Sequence, residues 1–386
     1  MRRNTCLPAD RMPVARPRLP GADAILPLLR EIDANGWYAN HGPLARRLQA
    51  RLAAHWGLAE DEVALLASAT AGLTLALRAS GAAPGSRCLL PSWTFAASAG
   101  AVVAAGLVPH FVDVNPASWT PEPATIRQLA QAPDVGAALI VSPFGAPLDL
   151  AAWEAVQAET GKTVLIDAAA AFDTLRDGGE MRAGGCTLVV SLHATKVFGI
   201  GEGGALLSRD PALMQRVRAL CQFGFAGTRE ALVPGGNAKL SEHTAAVGLA
   251  ALDAWPAARD GWARATRLYA DLLPSCVTLP PQFGRSWVSS TLNLLWPDPA
   301  CALADSLAAE GIASLRWWGS GCHAQPAYRA CASEALPVTE RLAARSIGLP
   351  FWPDLSPREV ERVCGALRRL APRRATARAR RVAVPA

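Results

Sequence analysis

The chain has 386 residues, room for one large domain plus a smaller one and too many for a single simple core. Hydrophobic residues make up 51% and charged residues 18%, and no apolar run approaches the roughly 18–20 residues that a bilayer-crossing helix needs. The net charge of +6 does not mark a nucleic-acid binder, because residues 1–20 carry +4 and residues 373–386 carry +5, leaving a mildly acidic body.

The N-terminus opens Met1-Arg2-Arg3, but Pro8, Pro13, Pro17 and Pro20 follow where a signal peptide would place an apolar stretch. Residues 1–20 therefore read as an N-terminal arm, and the expected location is cytoplasmic. The nine cysteines are scattered without a C-x-x-C or zinc spacing, which suits a reducing compartment and predicts no metal. Strand-like runs follow at 88–91, 109–114, 137–142, 163–167, 188–192 and 205–208. Helical spacing lies between them at 70–79, 95–105 and 150–160. This alternation predicts an α/β fold with a largely parallel sheet. Val164-Leu165-Ile166 has the unbroken apolar character of a strand buried on both faces.

Beyond residue 240 the texture changes. A long helical stretch over 241–273, interrupted near Pro256, leads to a strand at 290–295 and helices at 301–310 and 357–370. The expected organisation is a large domain over 21–250, a small C-terminal α+β domain over 251–370 and a disordered basic tail over 371–386.

Three features fall at predicted strand ends, where ligands bind in open α/β sheets. Ser68-Ala69-Thr70-Ala71-Gly72-Leu73 leads into a helix whose N-terminus suits a phosphate, although a hydroxyl residue there is also an ordinary N-cap. Asp167 closes its strand among Ala168, Ala169, Ala170 and Ala171. A carboxylate in such surroundings either caps the next helix or needs a cation, such as a protonated pyridine. Ser191 then opens a loop holding His193, Thr195 and Lys196, followed by Gly199, Gly201, Gly203 and Gly204. The only lysines are Lys162, Lys196 and Lys239, against 35 arginines, so a lysine in this uncharged loop is notable. Strand, hydroxyl, lysine and glycines in this order suit a lysine that condenses with a carbonyl, and match neither a Walker loop nor a dinucleotide fingerprint.

Taken together, these motifs resemble the DegT/StrS family of sugar aminotransferases that depend on pyridoxal phosphate (PLP). The opening Gly36-Trp37-Tyr38-Ala39-Asn40-His41-Gly42-Pro43, the turn Ser68–Leu73, Pro91-Ser92-Trp93-Thr94-Phe95, and Asn237-Ala238-Lys239-Leu240-Ser241-Glu242 carry the resemblance, with Pro337-Val338-Thr339-Glu340-Arg341 near the end. The resemblance implies the aspartate-aminotransferase-like type I fold, PLP as cofactor, and Lys196 as the Schiff-base lysine. It implies that Asp167 partners the pyridine nitrogen, that Ala69, Thr70 and Ser191 hold the phosphate, and that Phe95 lies over the ring. Asn237 would reach a neighbouring subunit's cofactor, which implies a homodimer with shared sites. His193, His323, Trp317, Trp318 and Lys239 are candidates for the substrate side, though histidine hydrogen bonding and aromatic packing would explain them as well.

Within the family, Thr195-Lys196-Val197-Phe198 with Phe223 and Phe225 looks closest to the branch that aminates C4 of dTDP-4-keto-6-deoxy sugars. The implied reaction moves an amino group from L-glutamate to a nucleotide-linked keto sugar. Ala170 departs from the family, which has Gln or His there, and removes a polar contact near the ring. That departure leaves two other readings open: amination of a keto-cyclitol or another ketone without a nucleotide, and a catalytically altered protein of the same fold.

Overall fold

The computed structural model describes residues 11–284 and 286–372. The basic tail falls outside the described residues from 373 onward, as does the first half of the N-terminal arm. Helices α1 (Ala22–Asn35) and α2 (Pro43–His55) lead into β1 (Val63–Leu66) and α3 (Ala69–Ala79). Then follow β2 (Arg87–Pro91), α4 (Ala96–Ala104), β3 (Val108–Val112), α5 (Pro123–Leu129), β4 (Val135–Val141), α6 (Leu150–Thr160) and β5 (Thr163–Asp167). Next come β6 (Thr187–Ser191), β7 (Gly204–Leu207), α7 (Pro211–Cys221) and the long α8 (Glu242–Leu272). The chain closes with β8 (Leu292–Leu295), α9 (Ala300–Ala309), β9 (Ala332–Ser333), α10 (Pro337–Arg345), β10 (Ser346–Leu349) and α11 (Pro357–Leu370).

Eight strands form one sheet in the order β1-β7-β6-β5-β4-β2-β3-β9. It is parallel from β6 to β9, and antiparallel where β7 joins β6 and β1. This is the mixed, mostly parallel sheet expected for a type I fold. Both of its faces are covered. Val164 and Ile166 point into a core with Leu48 and Leu52 of α2, Trp153 of α6 and Leu249 of α8. Leu165 points the other way, to Leu73 of α3, Val102 of α4 and Val217 of α7. Burial on both faces is why β5 reads as an unbroken apolar run. A second, two-stranded sheet pairs β8 with β10.

Two expectations need correction. The helix over 242–272 is continuous, with no interruption at Pro256. Pro256 lies on the exposed side while Leu252, Trp255, Trp262 and Tyr269 are buried. Packing on the side opposite Pro256 carries the helix through. The sequence after residue 251 also does not stay apart from the large sheet. β9 pairs with β3, and the N–H groups of Val338 and Thr339 donate to Asp113, 2.8 Å each.

The start of α2 has an unusual cap. Its N-cap is Gly42, which has no side chain to offer, and Glu242 of α8 supplies one instead. The fully buried Glu242 carboxylate accepts from the N–H groups of Leu44 and Ala45, at 2.8 Å each. An anion at the positive end of a helix dipole is stabilising, and here it ties α2 to α8.

Candidate active site

Asp167 and Ser191 end the neighbouring strands β5 and β6. Asp167 is 6% exposed. Its Oδ2 accepts from Ser98 Oγ at 2.7 Å and its Oδ1 from the Ala169 N–H at 3.1 Å. Burial pushes the carboxyl up from its ordinary range, while these two donors and the charge of Lys196 pull it back. Ser98 was not among the residues expected in the site. Its hydroxyl lies one helical turn past Thr94, a spacing that could have signalled a shared hydrogen bond.

Ser191 pairs with Gly204 across β6 and β7, and its N–H donates to the Ala169 carbonyl. A side chain on Gly204 would sit 2.5 Å from the backbone of both Ser68 and Ala69. Only glycine lets the start of α3 press against the strand there, and this brings the helix N-terminus up to Ser191. Ser68 caps α3 by accepting from the Ala71 N–H at 3.1 Å. The N–H groups of Ala69 and Thr70 remain outside the helix ladder, with Thr70 exposed. The predicted phosphate turn and Ser191 therefore meet.

Lys196 follows in a tight loop, held by Leu192 N–H to Gly203 O (3.0 Å), Ala194 N–H to Gly201 O (2.8 Å) and Lys196 N–H to His193 O (2.9 Å). Behind it, Trp262 Nε1 donates to Val197 O at 3.2 Å, and Phe198 stacks on Phe172 with centroids 4.3 Å apart. Among the described residues, Lys196 Nζ makes no hydrogen bond or ion pair. Burial lowers its pKa, and Asp167 opposes that shift. A lysine with a depressed pKa is neutral more often, and so more nucleophilic, than one in water.

The other predicted residues divide. Phe95 precedes α4 and is 58% exposed. Ala170 abuts Gly145, whose φ of +94° and closeness to the Ala170 carbonyl leave no room for a side chain. His323 Nδ1 lies 2.6 Å from Ser92 Oγ, beside the Trp93-Thr94-Phe95 segment. Trp318 stacks on Phe144 at 4.1 Å and meets Trp93 edge-on. Trp317 packs against the same buried cluster and also lies against Gly348 of β10. His193 is occupied by Thr195, 2.8 Å from its Nδ1, and by Glu202. Lys239 Nζ donates to Asn237 Oδ1 at 2.6 Å and sits over the Phe223 ring. Those two residues lie beyond β1, away from Asp167. A cavity of about 870 Å³ touches Lys196, the arm at 15–21 and α8, but not Asp167, Ser191 or Thr70. The described residues contain no cluster of ligands for a metal.

An anion cradle, a buried carboxylate suited to a cation and an unpaired lysine of lowered pKa are the groups that PLP requires. Residues 21–368 match the DegT/DnrJ/EryC1/StrS aminotransferase family, and the chain belongs to it. Its class is that of the PLP-dependent aminotransferases. Over 376 residues it is 31% identical to Protein Rv3402c of Mycobacterium tuberculosis, covering 92% of this chain and 89% of that one. It is also 31% identical to the dTDP-3-amino-3,4,6-trideoxy-alpha-D-glucose transaminase of Streptomyces venezuelae, covering 86% and 88%. The crystal structure of DesI, analysed in the presence of its TDP-sugar product, superposes with a TM-score of 0.85 at 31% identity, covering 97% and 96%.

Proposed function

We propose that this enzyme moves an amino group from L-glutamate to a nucleotide-linked keto sugar, with C4 of a 4-keto-6-deoxyhexose as the acceptor carbon. The observation that carries the reading is the meeting of Lys196, Asp167, Ser191 and the start of α3 at adjacent strand ends. PLP, when bound, supplies the electron sink that makes the α-proton of an amino compound removable. The protein's part is binding and proton movement. Ala69, Thr70 and Ser191 would hold the phosphate, Asp167 would keep the ring nitrogen protonated, and Phe95 would cover the ring. Lys196 Nζ would hold the cofactor until the amino donor arrives, and would then serve as the base and acid that moves the donor's α-proton.

Relatives of this chain named as transaminases of dTDP-amino sugars support the nucleotide-linked acceptor, and the Thr195–Phe198 sequence supports C4. Exposed Trp37, Tyr38, Phe95, Phe223 and Leu232 support a homodimer in which Asn237 and Lys239 serve the neighbouring site. The test is a half-reaction. The enzyme is first converted with L-glutamate to its amine-loaded form, then offered 4-keto and 3-keto nucleotide sugars and keto-cyclitols singly. The visible band of lysine-bound cofactor should return with the 4-keto nucleotide sugar. Return only with a 3-keto sugar would move the acceptor carbon, and return only with a cyclitol would remove the nucleotide from the assignment.

A further inference from the structure

Asp167 ends a chain of two hydroxyls that the reaction above leaves without a role. Ser98, fully buried in α4, donates to Asp167 Oδ2 at 2.7 Å. Thr94, 1% exposed, places Oγ1 2.7 Å from Ser98 Oγ. A carboxylate only accepts, so the Ser98 proton is committed to Asp167 and the Thr94 hydroxyl must donate to Ser98. Both protons thus point the same way. The segment that carries them is pinned: Thr94 N–H donates to Ser92 O at 3.0 Å, Ser98 N–H to Phe95 O at 3.1 Å, and Cys322 N–H to Ser92 O at 2.8 Å. Cys322 Sγ also meets the Thr94 carbonyl, at 3.6 Å.

Such a chain has a purpose at this spot. A carboxylate with few donors in a buried setting takes up a proton, and a neutral acid cannot balance a pyridinium. Lys196 is the one charged group that acts on Asp167 among the described residues, and it is itself needed uncharged for part of the cycle. The Ala169 N–H occupies the other oxygen. We infer that Thr94 and Ser98 are positioning residues that fix the Asp167 carboxylate in the orientation and the ionised form in which it receives the ring nitrogen. Hydroxyls in series polarise one another, so the outer one strengthens the inner. The inference rests on the assignment of Asp167 as the ring-nitrogen partner.

The test uses the full-length protein with PLP as the probe. Ser98→Ala should raise the dissociation constant for PLP roughly tenfold or more, the scale of one lost hydrogen bond to a charge. Thr94→Val, nearly isosteric, should shift it the same way by about two- to threefold. Ser98→Thr keeps the hydroxyl and should restore near-wild-type binding. A second readout needs no cofactor: the infrared carbonyl stretch of the protonated Asp167 carboxyl, identified by its loss in Asp167→Asn. Its titration midpoint should move to higher pH in Ser98→Ala. Ser98→Ala with PLP affinity within twofold of wild type and an unmoved infrared midpoint would overturn the relay, and an unchanged Thr94→Val would remove Thr94 from it. Wild-type protein that ignores PLP, while Ser98→Ala still moves the infrared midpoint, would instead sink the cofactor role of Asp167 and leave the hydroxyls' hold on it standing.

Discussion

Replacing Glu242 with Ala should be among the most destabilising single changes in this protein, although Glu242 lies in a motif expected to serve the cofactor. Its carboxylate is fully buried and accepts two N–H groups, from Leu44 and Ala45, at 2.8 Å each. Hydrogen bonds to a charge contribute about 1.5–3 kcal/mol each, and the truncation strands two buried donors at the start of α2. Water entering the small void recovers part of this, so the expected loss is roughly 3–5 kcal/mol. Glu242→Gln should lose about 2 kcal/mol, because the amide keeps one acceptor and turns a donor toward the second N–H. Glu359, in the more exposed capping box that starts α11, is the control, with an expected loss of about 1 kcal/mol on replacement by Ala. Urea unfolding followed by tryptophan fluorescence gives the comparison. A Glu242→Ala midpoint no lower than that of Glu359→Ala would refute the cap. Gly42→Ala should act in the same direction, since its new methyl would lie 2.6 Å from Glu242 Cδ.

Lys196→Ala should abolish turnover, and borohydride treatment of the PLP-loaded wild type followed by peptide mapping should label Lys196 alone. Gly204→Ala should weaken PLP binding at least tenfold, because a methyl 2.5 Å from Ser68 and Ala69 pushes the start of α3 off Ser191; isothermal titration reads the loss. Burial holds the His55 imidazole at about 4 instead of its usual 6.5, with Asp173 opposing. Between those values the unfolded chain binds the proton and the folded chain does not, so stability present at pH 7 is lost as pH falls through the window. The drop should be roughly 2 kcal/mol between pH 7 and pH 4, allowing for partial exposure, and His55→Phe should flatten it in urea midpoints taken across that range. Pro256→Ala should stabilise the protein by about 1–3 kcal/mol, read in the same unfolding assay, since the helix already runs through that position.

Much of the fold was legible because its signals are local. The expected segments 163–167, 150–160 and 357–370 coincide with β5, α6 and α11, each marked by an unbroken apolar run or a caps-and-period pattern. β9 was invisible: two exposed residues, Ala332 and Ser333, become a strand only because β3 offers an open edge. Pro256 misled because its cost is local, while the packing of Trp255 and Trp262 that overrides it is not. At the site, Asp167, Ser191 and Lys196 stood out as polar residues at or just past strand ends, and Lys196 as one of only three lysines. Ser98 did not: its one-turn spacing from Thr94 signals a shared hydrogen bond, but only the fold brings it to Asp167.

The fastening of β9 to β3 settles which body His323 travels with. His323 is bonded to Ser92, Trp318 lies on Phe144, and the stretch from Cys322 to Thr339 is stitched to the large sheet through Ser92, Phe111 and Asp113. The strands β8 and β10 pair with each other, and Leu295 of β8 joins the Trp93 and Phe144 cluster on which Trp318 packs. Were that smaller sheet to rock toward an arriving acceptor, Trp318 would feel the movement through Leu295, while His323 would stay with Ser92.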